Sequence, residues 1–199
     1  MSEQQERALD PYHHEHRHVE EVPWSRLGDL LIDLAEKIRR DFQPEIVVGI
    51  AKGGVVPAVY LSSAYLLDFL PIKLSSRHDE QIVSGTPVWH VYPTDEVMGK
   101  KVLLVDDICV AGRTLGMAAE ELARRGALAV RTATLAVHHG SMRPDYYVLD
   151  TDSLIVWPWD RDVLAPDGKW SINAEYTDEM DEVPGYVPGP SPAKGCEGQ

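Results

Sequence analysis

The chain has 199 residues, 44% of them hydrophobic and 26% charged, which suits one domain of ordinary size with flanking tails. Its formal net charge of −13 gives a field that repels nucleic acid and anionic membrane surfaces, so neither is expected as a partner. The N-terminus is polar with no signal-like apolar core, no apolar run is long enough to cross a bilayer, and two cysteines, Cys109 and Cys196, make no disulfide framework; the expected compartment is a reducing cytoplasm.

Residues 1–20 read as a flexible, His-rich tail. The "HHEHRH" stretch has irregular spacing and no second cluster to complete a coordination sphere, so it reads as solvated rather than metal-binding. From Trp24 to Arg40, Leu27, Leu30, Leu31, Leu34 and Ile38 recur on one face, which predicts a helix with cations at its C-terminal end. "EIVVGI" (45–50) predicts a strand buried on both faces. "VVPAVYLSSAYLLDF" predicts a second helix and "PIKLSS" another strand. Residues 77–100 mix charge and turn residues and read as a long loop or hairpin, the kind of segment that often forms a lid. "KVLLV" (101–105) is the next buried strand. A helix from Thr114 to Arg125 follows, with Gly126 as its terminator. "VRTATLAV" and "SLIVW" supply two further strands. Strands alternating with helices predict an α/β domain over residues 21–165, with a mainly parallel twisted sheet flanked by helices. Residues 166–199 turn acidic and then Pro/Gly-rich, an extension read as at least partly disordered.

The stretch "KVLLVDDICVAGRTL" (101–115) carries the chemistry. In a parallel sheet, ligands collect beyond the carboxyl ends of the strands, and Asp106 and Asp107 fall at such an end. The turn after them leads into a helix, so backbone N–H groups and the positive helix end form an anion pocket. Gly112 allows close approach to a phosphate and the Thr114 hydroxyl can donate to it. The two acids cannot bind that phosphate, but they can accept from sugar hydroxyls or hold Mg²⁺. A lone Asp-Asp pair ordinarily just ends a strand; with the apolar run before it and the Gly-x-Thr helix start after it, the pattern reads as a ribose 5-phosphate site.

"VLLVDDICVAGRTL" resembles the phosphoribosyl pyrophosphate (PRPP) signature of type I phosphoribosyltransferases. "VVGIAKGGVVPA" (47–58) resembles the pyrophosphate loop of that family, with Ala51, Lys52, Gly53 and Gly54 as its residues and the Ala51–Lys52 peptide expected to be cis. Ser75, Ser76 and Arg77 resemble the stem of the family's mobile loop. "LIVWPWD" (154–160) is similar to the base-binding segment of the 6-oxopurine members, which assigns Leu154, Ile155 and Trp157 to the base and Asp160 to metal through water. The likeness covers roughly residues 22–162 and is greatest to the xanthine-guanine and hypoxanthine enzymes. It implies a type I phosphoribosyltransferase-like domain with a small hood. It further implies Mg²⁺-dependent transfer of the phosphoribosyl group from PRPP to xanthine, guanine or hypoxanthine, as in purine salvage, by a homodimer or homotetramer. In that scheme Asp106, Asp107 and Lys52 are catalytic; Val110, Ala111, Gly112, Arg113 and Thr114 join the two acids in binding PRPP; and Asp106 and Asp107 also face the metal.

The base side departs from the family pattern. Val110 stands where 6-oxopurine members carry an acid that acts as general base, whose loss typically costs ~100- to 10,000-fold. His138 stands where a lysine usually bonds the 6-oxo group, and Leu154 where an aromatic side chain stacks on the purine. Two other readings follow: transfer to a different or specialised base, or a PRPP-binding regulatory protein with weak or no catalysis. The acidic charge disfavours the RNA-binding attenuator of this fold, Cys109 and Cys196 are misplaced for an amidotransferase nucleophile, and residues 77–99 lack the lysine-rich loop of orotate enzymes.

Overall fold

The computed structural model describes residues 18–75, 77–78, 81–82, 86–181, 183 and 187–188. Most of the N-terminal tail, Ser76 and Cys196 lie outside the described residues. The described chain forms two units, one of residues 29–151 and one of residues 18–28 and 152–188. Helix α1 (Trp24–Arg39) contains the division between them.

The larger unit is built on strands β2 (Ile46–Ile50), β3 (Phe69–Ser75), β6 (Val88–Val91), β7 (Lys101–Cys109), β8 (Ala129–Val137) and β9 (Leu149–Asp150), in the spatial order β6-β3-β2-β7-β8-β9. Every pairing is parallel except β3 with β6. Side chains alternate between faces along a strand, and the core follows that period. Ile46, Val48, Ile50, Leu70, Ile72, Leu74, Val102 and Leu104 share a face with Leu115, Ala118 and Leu122 of helix α3 (Arg113–Arg124). Helix α2 (Val55–Tyr65) packs on β2 and β7. A Cβ on Gly49 would come within 2.7 Å of Ala58 Cβ, which puts α2 on the opposite face. Both faces are therefore covered, and β2 is buried at all five positions, as its unbroken apolar run predicted.

From β2 the chain runs to β3 on one side and later returns as β7 on the other. The carboxyl ends of β2 and β7 thus lie at a topological switch point, where an open parallel sheet leaves a crevice.

The helices and main strands fall where periodicity placed them. Helix α3 closes with Gly126 at φ 83°, its N–H donating to Ala123 C=O and that of Ala127 to Leu122 C=O. Two features differ from expectation. Strand β7 does not stop at Val105: Ile108 and Cys109 still pair with Ala136 and Val137. The neighbouring strand extends the ladder past the acids, and the turn shrinks to residues 110–112. The segment "SLIVW" forms β10 (Leu154–Val156) but does not join the main sheet; it pairs in parallel with β1 (Val19–Glu21) in the smaller unit. Only residues 151–153 separate β9 from β10, far fewer than the dozen or more that a crossover to a parallel neighbour needs.

The 77–100 segment contains a short hairpin of β4 (Arg77–His78) with β5 (Gln81–Ile82), then β6 on the sheet edge. The smaller unit adds the antiparallel pair β11 (Asp162–Leu164) and β12 (Trp170–Ile172), and helix α4 (Ala174–Asp181). Leu154, Val156 and Met180 form its apolar cluster. Beyond residue 165 the chain thus contributes a strand and a helix that no sequence periodicity marks. Among the described residues, no helix is long and apolar enough to cross a membrane.

Helix α2 ends on Leu66, which sits in the left-handed region (φ 58°) and is 92% exposed. A non-glycine residue there costs about 1–2 kcal/mol, and this side chain recovers little by packing. Leu66→Gly is expected to stabilise the protein by up to about 1 kcal/mol after the entropy cost of glycine, a rise of about 2–4 °C in Tm measurable by differential scanning calorimetry.

Candidate active site

Strand β7 enters the core as four fully buried apolar residues and emerges as Asp106 and Asp107, both partly open to a cleft of about 250 Å³. The same cleft is lined by the 51–53 loop after β2, by Leu74 and Ser75 at the end of β3, and by the turn and first residues of α3, 108–115. The larger unit therefore gathers the proposed sugar, phosphate and pyrophosphate elements in one place.

Each acid is held by the backbone. Asp107 N–H donates to Asp106 Oδ1 at 3.0 Å, and Ile108 N–H donates to Asp107 Oδ1 at 2.9 Å. Burial, and after it the adjacent Asp107 carboxylate, push the Asp106 carboxyl well above the usual carboxylate range; backbone N–H donors from Asp107 and Gly54 offset part of that shift.

The loop after β2 is pressed against this strand end. The Ala51–Lys52 peptide is cis, as the family likeness implied. A Cβ on Gly53 would run into the Asp107 carboxylate. One on Gly54 would meet Val105 O at 2.6 Å, Asp106 Cα at 2.7 Å and Ile50 O at 2.8 Å, all backbone atoms that cannot swing away. Gly54 is thus a steric requirement of bringing loop and strand end together, whereas a methyl group on Gly53 would meet only the Asp107 side chain. Lys52 is exposed beside them.

On the other side, Gly112 adopts φ 78°, ψ −1° and forms the N-cap of α3 without any side-chain capping bond. The first turn of α3 carries no acid. The positive helix end therefore faces the cleft uncompensated by a carboxylate of its own turn, with Arg113 exposed beside it. Val110 lines the cleft between the acids and this turn. His138 follows β8 directly and is 4% exposed; its N–H donates to Cys109 C=O at 3.0 Å, which sets it beside the end of β7. Burial raises the Cys109 thiol pKa, a hydrogen bond with Ser141 lowers it, and the Asp106 charge raises it further.

The model of the phosphoribosyl transferase domain matches residues 23–166. The chain belongs to that family. Among solved phosphoribosyltransferases, a purine phosphoribosyltransferase from Pyrococcus horikoshii is 31% identical, with a TM-score of 0.64 over 71% of this chain and 93% of that one. A xanthine-guanine-hypoxanthine phosphoribosyltransferase from Helicobacter pylori shares the fold, with a TM-score of 0.61 at 18% identity over 71% of this chain and 94% of that one. An orotate phosphoribosyltransferase from Methanocorpusculum labreanum is 27% identical over 114 residues; the match spans 56% of this chain and 62% of that relative.

The positions of the 154–160 segment lie in the smaller unit. Leu154 and Ile155 are buried in β10, Leu154 within the apolar cluster. Trp157 is 2% exposed and stacks on Trp159 at 5.1 Å between ring centroids. Asp160 accepts from Tyr176 Oη at 2.9 Å, and its backbone carbonyl accepts from Asn173 Nδ2 at 3.0 Å. Tyr176 and Asn173 had no sequence signal, since both lie in the acidic stretch that looked like a solvated extension. Ser75 lines the cleft, Ser76 lies outside the described residues, and Arg77 is placed by its backbone in β4.

Two substitutions test this arrangement. Because the fold raises the Asp106 pKa, this group's contribution to stability is full below the unfolded value of about 3.9 and is lost as pH rises through the folded value. Asp106→Asn in ligand-free, chelator-treated protein is therefore expected to raise Tm at pH 7–8, with the advantage fading as pH approaches 4; an advantage independent of pH would contradict the assignment. Gly54→Ala is expected to destabilise by about 1–3 kcal/mol through overpacking, read by urea denaturation.

Proposed function

We propose that the protein transfers the 5-phosphoribosyl group of PRPP to a purine base, xanthine, guanine or hypoxanthine, with release of pyrophosphate. One observation carries this reading: paired carboxylates, a double-glycine loop with Lys52, and an uncapped helix N-terminus line a single cleft at the switch point of the sheet. The family membership, and the 31% identity to a purine enzyme over most of both chains, support it.

In this mechanism the backbone N–H groups of Val110–Thr114 and the end of α3 hold the 5-phosphate and so orient the ribose. Asp106 and Asp107 accept hydrogen bonds from the ribose hydroxyls. As the bond to pyrophosphate lengthens, the anomeric carbon becomes oxocarbenium-like and charge builds on the leaving group. Lys52 and the N–H groups of its loop face that charge. The residues also fit Mg²⁺: two carboxylates are too few for a full cage, and Mg²⁺ takes one or two carboxylates and completes its shell with water and substrate phosphates. When bound there, Mg²⁺ would neutralise pyrophosphate as it leaves. By the family likeness alone, Leu154, Ile155, Trp157 and His138 are assigned to the base and Asp160 to metal through water; His138 would donate to a 6-oxo group. A cytoplasmic homodimer or homotetramer acting in purine salvage completes the proposal.

Val110 favours a second reading. Valine accepts no proton, so this chain lacks a general base at the position where 6-oxopurine members carry one, and a different base, or weak catalysis in a PRPP-binding regulator, would explain the change. The likeness to an orotate enzyme makes a pyrimidine the first alternative.

The test is pyrophosphate release from PRPP and Mg²⁺ with a panel of xanthine, guanine, hypoxanthine, adenine, orotate and uracil. Turnover with a 6-oxopurine is expected; turnover with orotate alone overturns the purine assignment, and PRPP binding without turnover on any base indicates the regulatory role. Val110→Asp is expected to raise kcat by about 10-fold or more on the preferred 6-oxopurine.

A further inference from the structure

The 138–143 turn meets the phosphate turn from behind. A Cβ on Gly112 would lie 2.6 Å from Met142 Cβ and 3.1 Å from Met142 Cε, and one on Gly116 would lie 3.5 Å from the same methyl. The Met142 side chain therefore fills the space that these two glycines leave along the first turn of α3. Met142 C=O also accepts from Cys109 Sγ at 3.1 Å, while Cys109 C=O accepts from His138 N–H at 3.0 Å. The turn is braced internally, Ser141 Oγ donating to His138 C=O at 2.8 Å. At its far end, Asp150 on β9 meets Arg143 at 2.7 Å and His139 Nε2 at 3.2 Å. One turn is thus anchored both to the strand that carries the twin acids and to the sheet edge, and a single side chain reaches from it onto α3.

Gly112 gives the phosphate turn its left-handed geometry but also the widest conformational freedom of any residue, and no side chain caps the helix there. We propose that Met142 is a positioning residue that wedges against Gly112 and Gly116 and holds the N–H groups of Val110–Thr114 converged before a ligand arrives. The benefit is preorganisation: a turn already ordered loses less freedom on binding. The inference rests on the reading of residues 110–114 as a sugar-phosphate turn. Met142 is 49% exposed, so truncating it opens no sealed cavity and global stability should change little.

The experiment is calorimetric titration of the full chain with PRPP and Mg²⁺, for wild type, Met142→Ala and Met142→Leu, with Tm recorded for each. Alanine leaves the backbone unchanged and removes the atoms that occupy the space where a Gly116 side chain would lie. Met142→Ala is expected to weaken PRPP binding about 5- to 10-fold with Tm within about 2 °C of wild type, and Met142→Leu to stay within about two-fold. Where the protein turns over, KM for PRPP rises and KM for the base holds. Equal PRPP affinity in wild type and Met142→Ala overturns the inference alone, as does a loss accompanied by a matching fall in Tm. A wild type that gives no binding signal with PRPP overturns the reading of the turn itself, and the inference with it.

Discussion

Two carboxylates side by side at the end of a buried strand repel one another and lose solvent, and this protein keeps them there by pressing a backbone loop against them. Gly53 and Gly54 approach Asp107 and Asp106 so closely that a single methyl group on either would collide. The loop brings the Gly54 N–H to the Asp106 carboxylate, which offsets part of the rise that burial and the Asp107 charge impose on its pKa. Hydroxyl donors or a cation are the chemistry that such a carboxylate pair accepts.

The same economy shapes the helix end of the cleft. A chain of net charge −13 cannot rely on its overall field to attract an anion. What the fold offers an anion is the first turn of α3, without a side-chain cap, where dipoles are fixed by the fold and little depends on surface charge. Lys52 and Arg113 add two local cations, one on each flank. Hydrogen-bond donors placed by backbone geometry are only as precise as the turn that carries them, which is why packing behind Gly112 matters to the chemistry in front of it.

The elements that line the cleft were legible because their requirements are local. A strand end, two acids, a glycine and a helix start fall within fifteen residues, and each has a residue-type signature: apolar run, carboxylate pair, left-handed glycine, helical period. The loop at Lys52 was legible for the same reason. The length of β7 was not, because strand continuation past Asp106 depends on β8 alongside it. Nor was the separation of β10 from the main sheet, which follows from its pairing with β1, 135 residues away by register (Val19 with Leu154). The hydrogen bonds from Tyr176 and Asn173 to Asp160 were hidden in a stretch whose composition reads as solvated.

By itself, then, the amino-acid order determined the class of fold, the turn that opens α3 and the loop of glycines, since short-range sterics and periodicity specify these with few alternatives. It also disclosed that Val110, His138 and Leu154 break the base-side pattern. Tertiary structure alone decided which loop meets which strand: that Gly53 and Gly54 lie against the acids, that Met142 fills the gap behind Gly112, and that a C-terminal helix holds Asp160. Those contacts join residues far apart in the chain, and their existence depends on complementary shape after folding, a property that no window of sequence contains.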